Sequence, residues 1–323
     1  MAKSRIAIVG LGLLGGSIGL ALKKANLDLE IIGHDKDPGV SARAQKRGAV
    51  DATKWNLIDA CEGAGLIVLA LALDGIKDTL SALKPYLAPG VIVTDTAATK
   101  LPVLEWAKDL PTGVHFVGGD PILKPTRALD TRGIDSADAN LFSGATYCLV
   151  AATSAGSQAV DTVANFVTML GAKPYFIDAA EHDGLMTGVH HLPALLATAL
   201  ASATMTSAGW RELGKLAGAD FRAATELAPD DERAARAQFI AHRADLLRWI
   251  DATSEHLKHL RALIEREDAA ALEALIKTIA NERAKWLSGN LDATESSVDL
   301  NAAQFSPSRM FLGGLADVGK KRK

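Results

Sequence analysis

The chain has 323 residues, more than one compact core usually organises, and its length points to about two domains. Hydrophobic residues make up 48% and charged residues 23%, which excludes a disordered or fibrous chain. A net charge of −3, with no basic block except the terminal KKRK, excludes the electrostatic footprint of a nucleic-acid binder. The two cysteines, Cys61 and Cys148, are far apart and lack C-x-x-C spacing, so neither a disulfide framework nor a zinc site is expected and a reducing cytoplasm fits best. A strand-like run begins within five residues of Met1, leaving no room for a signal peptide. No apolar stretch is read as long enough for a membrane span, and the expectation is a soluble protein without membrane or nucleic-acid partners.

In chain order, strands are predicted over residues 5–10, 29–35, 66–72, 91–96, 115–120, 146–152 and 173–178. Helical stretches separate several of them, as in SQAVDTVANFVTML, where Val160, Val163, Val167 and Leu170 recur at helical spacing. Such alternation indicates a parallel sheet covered on both faces. After Asp178 the strand signal ends and helix follows helix, which places a boundary near residue 179 and two domains at 1–178 and 179–323. The run HHLPALLATALASATM is apolar nearly all round, so its helix should be deeply buried, inside the domain or at a subunit interface. Residues 231–266 carry a one-sided stripe of Phe239, Leu246, Ile250, Leu257, Leu260 and Ile264. Residues 268–287 carry another of Leu272, Leu275, Ile276 and Ile279. No low-complexity linker separates the domains, so they are expected to pack together around a cleft.

The sharpest motif is VGLGLLGGSIGLAL, in which Gly10, Gly12 and Gly15 spell GxGxxG directly after a strand and at the opening of a helix. The first glycine makes the turn, the second admits a pyrophosphate to the backbone, and the third lets the helix pack closely. The helix start supplies free N–H groups for phosphates. Asp35 lies twenty residues beyond Gly15, where a carboxylate accepts the hydroxyls of an adenosine ribose and repels a 2′-phosphate, favouring NAD over NADP. The expected cofactor contacts are Gly10, Gly12, Leu13, Leu14, Gly15, Asp35 and Ala70. A dinucleotide domain followed by a helical one suits hydride transfer, which needs a proton acceptor or donor beside the reacting carbon and groups that orient the substrate.

Six blocks, GLGLLGGSIGLAL, VTDTAATK, FVGGDP, LFSGATYCL, IDAAEHDGLMTGVHHLPALLATAL and ADFRAATELAPDD, occur in the order in which the prephenate and arogenate dehydrogenase family carries similar ones. The resemblance spans nearly the whole chain, and the EHD…HLP and Phe-Arg blocks are particular to that family. It implies a Rossmann-type doubly wound α/β sheet followed by an all-helical dimerisation and substrate domain, and a homodimer formed through the helices. It also implies oxidative decarboxylation of prephenate or arogenate towards tyrosine, with the ring C4 hydride passing to a nicotinamide cofactor.

Three positions depart from the family pattern. Where the family reads Gly-Gly-His-Pro, with the histidine as base for the ring hydroxyl, this chain has Gly119-Asp120-Pro121. Ala98 stands where the family has a serine bonded to that hydroxyl, and Glu226 where it has the arginine that binds the side-chain carboxylate. His191, in HLP, and Arg222 are retained. A glutamate in place of an arginine reverses the charge offered to substrate, so an ammonium-bearing substrate, arogenate or another amine, becomes plausible. Asp120 either serves as general base or closes a turn before Pro121. His191 is expected to orient substrate, and His190, about 100° round the helix, to be packing or surface. His182 and Asp183 are accounted for by helix capping and dipole effects. Lys124 and Arg127 are either substitute anion contacts or solvated loop charges. The remaining readings are a paralogue that transfers hydride with another small substrate, and an NAD-binding sensor or assembly protein without turnover.

Overall fold

In a computed structural model, residues 4–124 and 133–289 are described. Arg127, the segment beyond Gly289 and the KKRK tail lie outside them. The described residues hold eight strands: β1 (Ser4–Val9), β2 (Leu29–His34), β3 (Ala52–Thr53), β4 (Leu66–Leu69), β5 (Ile92–Asp95), β6 (His115–Ile122), β7 (Thr146–Ala151) and β8 (Lys173–Phe176). The first six helices are α1 (Leu13–Lys24), α2 (Pro38–Lys46), α3 (Leu57–Cys61), α4 (Leu73–Leu83), α5 (Leu101–Ala107) and α6 (Ser157–Met169).

The strands form one sheet in the order β3-β2-β1-β4-β5-β6-β7-β8, so the chain starts in the middle, winds to one edge and then returns to build the other. That reversal, between β1 and β4, is the crevice where doubly wound sheets bind ligands, at the carboxyl ends of the strands. β1 through β6 pair in parallel, whereas β6 and β7 are antiparallel. The sheet is therefore mostly parallel rather than wholly so. A parallel return needs a crossover, usually a helix, and the described part of the β6–β7 connection holds only a 3₁₀ turn at Ile134–Ser136.

Alternation along β1 explains the two covered faces. Ile6 and Ile8 join a core cluster with Ile18 and Leu22 of α1 and Val163, Phe166 and Val167 of α6. Ala7 and Val9 point the other way, into a cluster with Ile76, Leu80 and Leu83 of α4 and Val103 of α5. Each fully buried Val, Leu, Ile or Phe contributes about 1.5–3 kcal/mol, so these two layers fix the sheet that positions the site.

Helices α7 (Ala179–Met186) and α8 (Leu192–Met205) are joined without a break by a π-helical turn, Thr187–His191. By length and mean hydropathy, 1.2, the 27-residue run Ala179–Met205 would pass as a membrane span, which corrects the expectation that no stretch is long enough. Its first half nevertheless carries the buried charges of His182 and Asp183. Gly188 admits the Trp249 ring at the π turn, since a Cβ there would lie 2.6 Å from it. Further on lie α9 (Trp210–Leu216), α10 (Ala219–Thr225), α11 (Glu232–Ala241), α12 (Arg243–Glu265) and α13 (Ala269–Leu287). The expected run over 231–266 is thus two helices, interrupted at His242.

The chain divides into two compact units, Met1–His259 and Leu260–Lys323. In the single chain α8 is not deeply buried: only Leu192 and Ala197 are, while Leu196, Leu200 and Met205 are exposed. Leu257, Ile264, Ile276 and Ile279 of the two predicted stripes are exposed as well. An apolar pattern records that a face is to be covered, and here the described residues do not supply the cover.

Candidate active site

The glycine turn meets the steric demands of a dinucleotide cradle. Gly10 has φ +89°, and a Cβ there would stand 2.3 Å from the Ala70 carbonyl oxygen; one on Gly15 would stand 1.8 Å from the Gly10 carbonyl oxygen. Both must be glycine, because β1, β4 and α1 meet at backbone contact. A Cβ at Gly12, by contrast, would meet nothing within 4 Å, so this side of the turn is open to a ligand. Leu13 and Leu14 pack their side chains against the core. The first backbone hydrogen bond of α1 is donated by the Gly16 N–H to the Gly12 carbonyl, and no side chain caps the helix. Free N–H groups therefore face the open side. Asp35, one residue past β2, accepts hydrogen bonds from the Leu11 N–H at 2.8 Å and the Asp37 N–H at 2.9 Å, one on each oxygen. Each oxygen keeps a lone pair for a ribose hydroxyl. The residues present fit a dinucleotide with two free ribose hydroxyls.

Further along the carboxyl edge, β6 continues through Asp120 and Pro121, which pair with Cys148 and Tyr147 of β7. Asp120 is therefore no turn former but a buried strand residue. Its Oδ2 lies 3.1 Å from His182 Nε2, and His182 Nδ1 lies 2.9 Å from Asp183 Oδ1. Asp183 in turn accepts from the backbone N–H groups of Lys100, at 2.7 Å, and Leu101, at 2.9 Å, and so holds the start of α5. Burial opposes a charge on His182, but its hydrogen bonds to Asp120, Asp183 and Cys148 and the Asp120 charge outweigh it and push the imidazole up to about 10. At neutral pH an imidazolium bridges the two acids. Desolvation would raise Asp183, but its hydrogen bonds with His182 and with the Leu101 and Lys100 N–H groups lower it.

Beneath this chain lies a fully buried ion pair. Lys100 Nζ donates to Asp95 Oδ2 at 2.6 Å and to the Gly119 carbonyl at 2.7 Å, while Asp95 Oδ1 accepts from the Gly119 N–H at 3.1 Å. β5 and β6 are thereby tied together one residue before Asp120. The Tyr147 hydroxyl, buried and without a hydrogen-bond partner, is pushed well above its usual range by burial and by the charges of Asp95 and Asp120.

A second histidine group adjoins the first. His191, at the end of the π turn, is buried, and its ring lies 4.1 Å from that of His242 at an interplanar angle of 31°. Burial, with His242 and His190 nearby, pushes His191 down to about 3. His191 Nε2 is buried with no partner, and a backbone hydrogen bond to Ala98 engages the ring. His242 Nε2 lies 2.8 Å from Thr99 Oγ1, and its Nδ1 lies 3.3 Å from Thr187 Oγ1.

The structure thus brings Asp120, Ala98 and His191 to one carboxyl-edge region of the β5 and β6 ends. Lys124 is exposed, with its ammonium near Gly144. Arg222 is exposed on α10, and Glu226 is half-buried at that helix's C-terminus. Among the described residues, neither is hydrogen-bonded to the acid–histidine chain. His190 is exposed, edge-on to His191. Capping does not account for His182 and Asp183, because Asp178 is the cap of α7 and its side chain accepts from the Ala180 and Glu181 N–H groups. The adjacent His182 and Asp183 ahead of an apolar run were the available signal. His242 gave no signal in sequence, since its importance lies in contacts with residues 143 and 55 positions away.

Residues 18–176 match the family described as prephenate dehydrogenase, nucleotide-binding domain, and residues 178–278 match prephenate dehydrogenase, dimerization domain. The chain belongs to the prephenate dehydrogenase family. The glycine turn lies just ahead of the matched range, so its assignment rests on the geometry above. Prephenate dehydrogenase of Lactococcus lactis is 32% identical over 273 residues, 83% of this chain and 73% of that protein. The solved structure of Synechocystis arogenate dehydrogenase shares 27% identity and covers 87% of this chain and 99% of its own, with TM-score 0.69. A prephenate dehydrogenase of A. aeolicus, solved with hydroxyphenyl propionate and NAD+, is 23% identical over 88% of this chain and 99% of its own. Its TM-score of 0.77 shows the same fold. This prephenate dehydrogenase family member is an oxidoreductase whose carboxyl-edge site has an aspartate where the family resemblance leads one to expect a histidine.

Proposed function

We propose that this protein oxidises a cyclohexadienyl substrate, arogenate in preference to prephenate, with NAD. The observation that carries the reading is the buried chain Asp120–His182–Asp183 at the carboxyl edge of a sheet whose β1–α1 turn is shaped for a dinucleotide. Gly10, Gly12, Gly15 and Asp35 would hold the cofactor, and with two lone pairs to offer a ribose, Asp35 favours NAD over NADP. When bound, the nicotinamide supplies the hydride acceptor.

The chain's own residues do the rest. Asp120 accepts the proton of the ring hydroxyl as hydride leaves C4, and loss of the ring carboxylate as carbon dioxide makes the ring aromatic. His182 holds the Asp120 carboxylate in place and offsets the charge of two acids in one buried site. His191 orients substrate from the π turn, and the lack of a side-chain hydroxyl at Ala98 leaves Asp120 to meet the substrate hydroxyl without the family's serine. Glu226, with Arg222 one turn earlier on α10, would select an ammonium group, which arogenate carries and prephenate lacks.

Three further points belong to the same reading. The two family matches meet between residues 176 and 178, which supports a functional division near residue 179. The exposed apolar residues of α8, in a part of the chain that matches a dimerization domain, support a homodimer formed through the helices. The free, buried cysteines fit a reducing cytoplasm.

The deciding experiment is the appearance of reduced nicotinamide when the protein meets NAD with prephenate or with arogenate. Turnover with arogenate, and its loss by a factor of about 10²–10⁴ in folded Asp120→Asn, is the expected result. Silence with both substrates despite NAD binding would overturn the assigned reaction.

A further inference from the structure

We propose that His242 is a positioning residue: clamped between Thr99 and Thr187, its ring backs that of His191 and holds the His191 imidazole with a bare Nε2 turned to the site, ready for a hydrogen-bond donor of the substrate. The proposal rests on the reading that this region binds substrate, and it narrows the chemistry of the group that His191 meets.

The proton positions follow from counting donors. Thr187 Oγ1 donates its only proton to the Asp183 carbonyl at 2.7 Å, so towards His242 Nδ1, at 3.3 Å, it acts as acceptor. Nδ1 of His242 therefore carries the hydrogen. Burial lowers His242 from the usual histidine range, so its ring is neutral and its Nε2 has a lone pair, which accepts from the Thr99 hydroxyl at 2.8 Å. Both nitrogens are then satisfied, and the ring is fixed in orientation by one hydroxyl from the loop after β5 and one from the π turn.

Only the face of this ring remains for His191, whose centroid lies 4.1 Å away. His191 Nε2 has no partner, so the backbone hydrogen bond at Ala98 engages Nδ1. That bond favours the protonated ring, as a carbonyl acceptor does, so Nδ1 is the donor and Nε2 of the neutral ring is a lone pair. A buried lone pair without a donor is costly, and a substrate hydroxyl or ammonium would satisfy it. A carboxylate would meet it lone pair to lone pair. The histidine pair therefore selects for a donor at this point and against an anion.

The test reads the imidazole directly, without turnover: long-range ¹H–¹⁵N correlation of the histidine-labelled full chain at neutral pH. In the wild-type protein His191 should show an unprotonated Nε2 and a protonated Nδ1. His242→Ala should average the two nitrogens as the unbacked ring turns, and His242→Phe, which keeps a planar face, should retain the wild-type pattern. A wild-type His191 with hydrogen on Nε2, or a pattern unmoved by His242→Ala, would overturn the proposal. If His242→Ala does not fold, the wild-type tautomer together with His242→Phe decides. With the accepted substrate, kcat/KM should fall about tenfold or more in His242→Ala, with NAD affinity unchanged, and the loss should vanish in a His191→Ala background. Additive losses would mean that His242 acts on something other than His191. Failure of both prephenate and arogenate to react would sink the assigned reaction while leaving the nitrogen pattern to decide the role of His242.

Discussion

His182 and His191 lie nine residues apart on one continuous helical run, and each is 1% exposed, yet the fold drives them to opposite charge states. Burial alone would make both neutral. It prevails at His191, which faces a neutral histidine and whose nitrogens meet a carbonyl and nothing. At His182 it is overcome, because each nitrogen meets a carboxylate, Asp120 on one side and Asp183 on the other. What a ring nitrogen faces, more than how deeply it is buried, sets its proton. On the proposed reading, the site combines a fixed cation behind Asp120 with a neutral acceptor, His191, for the substrate.

The largest expected break in this contrast is His182→Leu. The substitution keeps an apolar volume but leaves Asp120 and Asp183 as buried acids without their shared cation, and losing one partner of a buried pair costs about 3–5 kcal/mol. Urea unfolding should show a loss of that order. A variant within about 1 kcal/mol of wild type would mean that the acids do not depend on the imidazolium.

The next test uses pH to separate the two histidines. His182 is raised from 6.5 to about 10, so its contribution to stability is full below 6.5 and is lost as pH rises through about 10. His191 is lowered from 6.5 to about 3, so its contribution is present above 6.5 and is lost as pH falls through about 3. Stability measured across this range should therefore fall on both flanks. In His182→Gln the alkaline decline should shrink, and in His191→Gln the acidic one. If both variants altered the same flank, the opposite assignment of charge would be wrong.

How much of this was legible in sequence differs between the two regions as well. The nucleotide cradle was readable because its demands are local: Gly10 and Gly15 are glycines on account of backbone contacts within one strand–turn–helix unit, and Asp35 closes the next strand. The sheet followed from alternation in β1 and helical spacing in α6. The acid–histidine chain was not readable in the same way, because Asp120, His182 and Lys100 come from three separate elements and their meaning arises only when β6, α7 and the start of α5 converge. Adjacent charges at the head of α7 looked like capping, a role that Asp178 fills instead. Pro121 suggested a turn, but β6 passes through it, because the residue it pairs with on β7 is reached without its missing N–H having to serve the ladder there. The stripes of α12 and α13 and the run of α8 were read correctly as apolar, but pattern alone does not say which surface, of this chain or another, covers them.

The smallest expected effect lies outside the contrast and delimits it. Glu226 is half-buried at the end of α10, away from both histidines in hydrogen bonding, so Glu226→Gln should leave the imidazole titrations of His182 and His191 unmoved. Its carboxylate is partly solvated, and pairing with a substrate ammonium is worth about 0.2–1 kcal/mol under such screening, a few-fold at most in the ratio of kcat/KM for arogenate over prephenate. The ratio should fall by that factor in Glu226→Gln, through KM rather than kcat, because the group binds the side chain and not the reacting carbon. A ratio that did not change would remove Glu226 from the pocket and leave discrimination to the bare His191 nitrogen, which senses a donor irrespective of charge. A shift in either histidine's titration would show instead that α10 reaches the acid chain electrostatically, and that the two charge states are set by more than the groups each nitrogen touches.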